Sequence, residues 1–104
     1  MGQWVNVGSK QAVQEGQMFL VQLEGQPIAL TMEGGKLYAF RALCPHASAD
    51  LTQGDLRPGM VICPLHAYRF DLRTGICLKP REGGPRLRIY PVERRGDQVW
   101  VLLP

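Results

Sequence analysis

The chain has 104 residues, 45% of them apolar and 20% charged, with a formal net charge of +3. That is the size of one small domain with a limited core, and no apolar run approaches the roughly 20 residues of a membrane-spanning helix. The positive excess lies mostly late in the chain (Arg73, Lys79, Arg81, Arg86, Arg88, Arg94, Arg95), among Pro, Gly and apolar residues and without an aromatic stacking set, which argues against nucleic acid.

Such a charge reads as a solvated face, able also to steer an acidic protein partner. The start, Met1-Gly2-Gln3-Trp4-Val5-Asn6, has neither the basic nor the apolar part of a signal peptide. The expectation is a soluble cytoplasmic protein with no membrane partner. Three cysteines do not make a disulfide framework.

Along the chain, apolar residues come in short bursts between Gly- and Pro-rich turns. Lys10 to Glu15 is the one stretch suited to a helical turn, and Gly16 stops it. Met18 to Leu23 and Gln26 to Thr31, divided by Glu24-Gly25, predict a hairpin. Glu33-Gly34-Gly35 turns the chain into Lys36 to Phe40, whose alternation predicts a half-buried strand. Met60 to Ile62, Tyr68 to Leu72 and Ile76 to Leu78 follow. Leu87 to Val92 and Gln98 to Leu102, flanking Arg95-Gly96-Asp97, predict a third hairpin. Many short strands with Gly-rich turns predict an all-β barrel or sandwich.

The chemistry is concentrated in two segments, Cys44-Pro45-His46 and Cys63-Pro64-Leu65-His66. Both histidines of the chain and two of its three cysteines fall there. Each segment is expected at a hairpin tip, entered from Phe40 to Leu43 and from Met60 to Ile62, where a strand gives a rigid base. Pro45 and Pro64 stiffen the backbone directly after each cysteine. Thiolate with imidazole selects zinc, iron or copper. Zinc sites of this composition usually pair like ligands, with the histidines on a helix. Here each segment mixes one Cys with one His and no helix follows. That mixture is expected if each loop gives one ligand to each of two irons. Cys77, between Ile76 and Leu78, reads as a small buried hydrophobe.

These segments resemble the Rieske [2Fe–2S] family, in particular its bacterial dioxygenase-type ferredoxins. The likeness extends through Cys63-Pro64-Leu65-His66-Ala67-Tyr68-Arg69-Phe70-Asp71-Leu72-Arg73-Thr74-Gly75, through Pro80 to Leu87 with Gly83-Gly84-Pro85, and through Tyr90-Pro91-Val92. The resemblance implies a single domain over residues 1–104, an antiparallel β-sandwich or barrel. Its cluster-binding part, about 41–86, would be a subdomain of two hairpin loops covered by the proline-containing loop. It also implies one [2Fe–2S] cluster per chain, with Cys44 and Cys63 on the buried iron and His46 and His66 on the outer one.

Two departures bear on the chemistry. Ala49 and Leu65 stand where high-potential relatives carry a disulfide pair, and Tyr68 and Phe70 where those carry a serine and a tyrosine bonded to cluster sulfurs. Their loss implies the low end of the Rieske range. Ala67 stands where a glycine is usual, which bears on the loop's shape.

Nothing else in the chain suits a substrate. There is no third histidine, no His-His-carboxylate set and no GxGxxG. Gly34-Gly35 and Gly83-Gly84 read as turns, and Asp50, Asp55 and Asp71 as loop hydrogen-bonding residues. The expectation is therefore a one-electron carrier, not an enzyme, with no small-molecule substrate. The resemblance implies a flavin-dependent reductase as donor and a terminal aromatic-ring-hydroxylating dioxygenase or similar oxygenase as acceptor. The alternatives are the small subunit of an assimilatory NAD(P)H nitrite reductase, bound to its large subunit, and a redox-sensing module.

Overall fold

The computed structural model describes residues 2–80 and 84–104. It is an all-β structure of three antiparallel sheets. Eleven strands are described: β1 Gln3–Ser9, β2 Met18–Leu23, β3 Gln26–Glu33, β4 Lys36–Arg41, β5 Asp55–Arg57, β6 Met60–Ile62, β7 Arg69–Asp71, β8 Cys77–Lys79, β9 Ile89–Tyr90, β10 Val92–Arg95 and β11 Gln98–Leu103. They form sheets in the orders β1-β11-β10, β2-β3-β4-β9 and β5-β6-β7-β8.

The predicted turns explain the first two hairpins. Glu24 and Gly25 both have positive φ (50° and 79°), as do Gly34 and Gly35 (62° and 78°). Positive φ at both central residues matches the twist of the flanking strands and makes the two-residue reversal tight. A carboxylate secures the second of these turns, where Glu15 accepts the N–H of Gly34 at 2.7 Å and of Gly35 at 3.0 Å. The short helical turn is a 3-10 segment, Lys10–Ala12, capped by the Ser9 hydroxyl accepting the Gln11 N–H.

The long C-terminal strand predicted through Leu87 to Val92 is divided at Pro91. Ile89 and Tyr90 pair with β4, whereas Val92 to Arg95 pair with β11. Proline cannot donate to a ladder, so the chain changes sheets there.

The middle sheet serves two cores at once. Ile28 and Leu30 of β3 and Ala39 of β4 pack with Tyr90, Val99, Val101 and Leu103. The alternate residues Ala29 and Phe40 join Val61, Phe70, Leu72, Cys44, Cys63 and Cys77. The register Ala29–Phe40 and Leu30–Ala39 puts each pair on its own side. Thr31, buried in the same run, donates its hydroxyl to the Gln17 carbonyl at 2.6 Å. A strand buried on both faces thus leaves no polar group unpaired.

Candidate metal centre

The first loop follows β4. The Cys44 N–H donates to the Ala49 carbonyl and the Ser48 N–H to the Cys44 carbonyl, while a bridge between Leu43 and Asp50 closes the base. It is not the tip of a regular hairpin: the chain enters a second 3-10 segment, Leu51–Gln53, which the sequence reading did not anticipate. Asp50 caps it, its Oδ1 accepting the N–H and hydroxyl of Thr52.

The second loop is the reversal between β6 and β7. Ile62 pairs with Arg69, and the Cys63 N–H donates to the Tyr68 carbonyl in the next rung. His66 and Ala67 turn the chain with φ of 66° and 57°. Gly54 packs against this loop, and a Cβ there would collide with the Ile62 carbonyl oxygen and press on Pro64. Only a glycine lets the 3-10 segment lie so close.

The two loops bring together the four side chains singled out by their spacing. Cys44 and Cys63 are buried in the core at 1% and 2% exposure, whereas His46 and His66 are exposed. The imidazole rings are 5.4 Å apart, edge to face at 66°. Burial pushes the Cys63 thiol up. The Leu65 N–H, 3.4 Å from its sulfur, opposes this, and the adjoining Cys44 thiol adds to it. Two thiols inside and two rings outside form a polarised site, and a cation between the sulfurs would reverse the advantage that burial gives the Cys63 proton. Among the described residues no three His, Cys, Asp or Glu side chains surround one ion-sized point.

One contact was not foreseen. The Tyr68 ring stacks on His46 at 3.9 Å and 13°, and Phe70 lies behind it with centroids 6.4 Å apart. Residues 22 positions apart on different loops give no local pattern from which to read that contact. Among the other residues singled out, Asp71 accepts the N–H groups of Arg73 and Thr74, whereas Asp55 is exposed on β5 with no side-chain hydrogen bond among the described residues. Cys77 is buried and donates its S–H to the Lys79 carbonyl at 3.1 Å. Of the loop expected to cover the site, residues 81–83, with Gly83, lie outside the described residues. Its return is tied down by the Leu87 N–H donating to the Gly75 carbonyl.

Residues 3–91 match the Rieske [2Fe–2S] domain family. This chain belongs to that family. It is 32% identical over 100 residues to the ferredoxin component of the naphthalene 1,2-dioxygenase system of Pseudomonas aeruginosa, covering 94% of this chain and 93% of the relative. Its fold superposes on the ferredoxin of carbazole 1,9a-dioxygenase from Nocardioides aromaticivorans IC177 with a TM-score of 0.85, at 30% identity over 94% and 95% of the two chains. A similar match, with a TM-score of 0.84 and 29% identity over 94% and 91%, is to a complex of reduced oxygenase and oxidized ferredoxin in carbazole 1,9a-dioxygenase. An iron–sulfur cluster is the group this family carries, and the residues present fit it. Two imidazoles bound to one metal at about 2.1 Å hold their ring centres about 5 Å apart, close to the 5.4 Å found here.

Proposed function

We propose that this Rieske chain is a one-electron carrier holding one [2Fe–2S] cluster, with Cys44 and Cys63 on the inner iron and His46 and His66 on the outer. The observation that carries this is the division of donors, with both thiols in the core and both rings at the surface. The proposed architecture is a single domain over 1–104, with the cluster-binding part at about 41–86. When bound, the cluster accepts and releases one electron at a time.

The chain's own residues supply the surroundings. Leu51, Val61, Phe70 and Leu72 wall the sulfurs off from water on the core side. The Leu65 N–H offers a hydrogen bond to the Cys63 sulfur, which steadies charge gained there. His46 and His66 form the outward route. On the same two loops Pro45, Pro64, Leu65 and Ala67 are exposed, an apolar rim suited to a small, short-lived interface, and Pro85 is exposed as well.

A terminal oxygenase is the proposed electron acceptor, supported by the oxygenase–ferredoxin complex among the similar structures. A flavin-dependent reductase is the proposed donor, and the cytoplasm the proposed compartment. No helix among the described residues is long and apolar enough to cross a membrane. The nitrite reductase alternative finds no support in the relatives compared.

The test is iron content, visible spectrum and EPR of the dithionite-reduced protein, together with Cys44→Ser and His66→Ala variants. About two irons per chain and the low average g of a histidine-ligated cluster are expected, both lost in the variants. A colourless protein holding one zinc would end this reading.

A further inference from the structure

The sheet β5-β6-β7-β8 has one buried face and one open face. Leu56, Val61, Phe70 and Cys77 lie opposite one another on the inner side. The outer side carries the row Asp55, Ile62, Arg69 and Lys79, in which the three charged residues are exposed. Arg69 and Lys79 are direct cross-strand partners. Like charges directly opposite on a sheet repel and cost stability.

Among the described residues neither Arg69 nor Lys79 takes part in a salt bridge, and Asp71, two residues from Arg69 on the same face of β7, has its carboxylate engaged by the N–H groups of Arg73 and Thr74. The pair also adjoins the metal loop. Ile62 and Arg69 form the last β6–β7 pair before Cys63 and Tyr68, so the cationic rung starts one residue, roughly 3.3 Å of strand, from the loop itself. Arg73 adds an exposed charge at the β7–β8 turn, beside Ile76, an exposed apolar side chain. The opposite edge ends in Asp55. The row therefore runs from Asp55, across the apolar Ile62, to a positive end at β7 and β8.

We propose that this outer face is a docking surface for an acidic redox-partner protein, with Arg69 and Lys79 as its anchoring charges. It deepens the carrier reading, on which it rests, by assigning the partner's charge and the side of the tip against which it lies. The repulsion between Arg69 and Lys79 is relieved when carboxylates of the partner enter between them. The attraction steers encounter so that the His46 and His66 rings meet the partner's redox group. The asymmetry from Asp55 to Lys79 sets the orientation.

The probe is flavodoxin, a strongly acidic flavoprotein, in its fully reduced form. It is mixed by stopped flow with the oxidised holoprotein, and each encounter passes one electron from flavin to cluster. Wild type should react fast at low salt and slow by roughly tenfold as ionic strength rises. Arg69→Glu and Lys79→Glu each place opposite charges across the rung, so folding is favoured while the face loses its sign. Each should cut the low-salt rate about fivefold or more and converge with wild type at high salt. Arg94→Glu, which changes net charge equally on β10, should stay within about twofold because its distance from the loop leaves it screened. Equal slowing by Arg94→Glu, or unchanged rates in Arg69→Glu and Lys79→Glu of a protein with the cluster's spectrum, would overturn the surface alone. A preparation lacking that spectrum would overturn the carrier reading and this surface together.

Discussion

Tyr68 lies flat against His46, with ring centres 3.9 Å apart and planes within 13°. The stack fixes the orientation of an imidazole whose loop is otherwise exposed. An aromatic pair of this kind contributes about 1 kcal/mol beyond area burial. Tyr68→Ala should therefore hasten loss of the visible chromophore under chelation by roughly fivefold, while Tyr68→Phe retains the wild-type rate. Equal loss in both variants would transfer the role to the hydroxyl.

The base of the fold reaches the metal side through Glu33, whose carboxylate accepts the Gly59 N–H at 2.6 Å in the β5–β6 turn. The bond is solvent-exposed, so about 1 kcal/mol is the expected contribution. Glu33→Ala should lower the melting temperature by roughly 4–8 °C. An unchanged melt would mean that water replaces the carboxylate at no cost.

Ala67 turns the second loop with φ of 57°. A left-handed residue with a Cβ costs roughly 1–2 kcal/mol, and a glycine recovers that against about 0.4–1 kcal/mol of added chain entropy. Ala67→Gly is expected to stabilise the iron-free chain by about 0.5–1 kcal/mol, read from urea denaturation. A destabilised variant would show that the Ala67 methyl packs against something that matters.

In the iron-free chain burial raises the Cys63 thiol above its ordinary 9.0, the Leu65 N–H works against the rise, and Cys44 adds to it. The folded thiol then binds its proton more tightly than the unfolded one. Its stabilising contribution is complete below the unfolded value and is lost as pH climbs through the raised folded value. Melts of the iron-free chain should therefore weaken at the alkaline end, above about pH 9. Cys63→Ser should flatten that decline, and a wild-type profile already flat would contradict the linkage.

Phe70 is fully buried and brings no hydroxyl, while Tyr68 turns its ring onto His46. The N–H aimed at a cysteine sulfur among the described residues is that of Leu65. With so little to stabilise added charge, the midpoint at neutral pH should lie at about −150 mV, the low end for histidine-ligated clusters. Redox titration giving a strongly positive midpoint would refute the expectation.

The two Cys–His segments stood out in the sequence because their information is local. Cys44 and His46 are two apart, Cys63 and His66 three apart, and the adjacent prolines stiffen each segment. The hairpin turns were legible for the same reason, through Glu24-Gly25 and Gly34-Gly35. What escaped was long-range or competitive. The division of β9 from β10 depends on which neighbour each half finds, and Pro91 marks the place without naming either sheet. The 3-10 segment after Asp50 is held by a cap and by the close approach of Gly54 to Ile62. Neither the His46–Tyr68 stack nor the Glu33–Gly59 bond leaves a periodic trace in the chain.

Ala29 and Leu30 are neighbours in β3 yet belong to different cores. The two cores therefore share β3 as a common wall. Whatever free energy an ion contributes at Cys44 and Cys63 is shared, through one party wall, with Val99 and Val101 in the far sheet. On the proposed reading, loss of iron would be felt as a softening of the whole chain, not as damage confined to two loops.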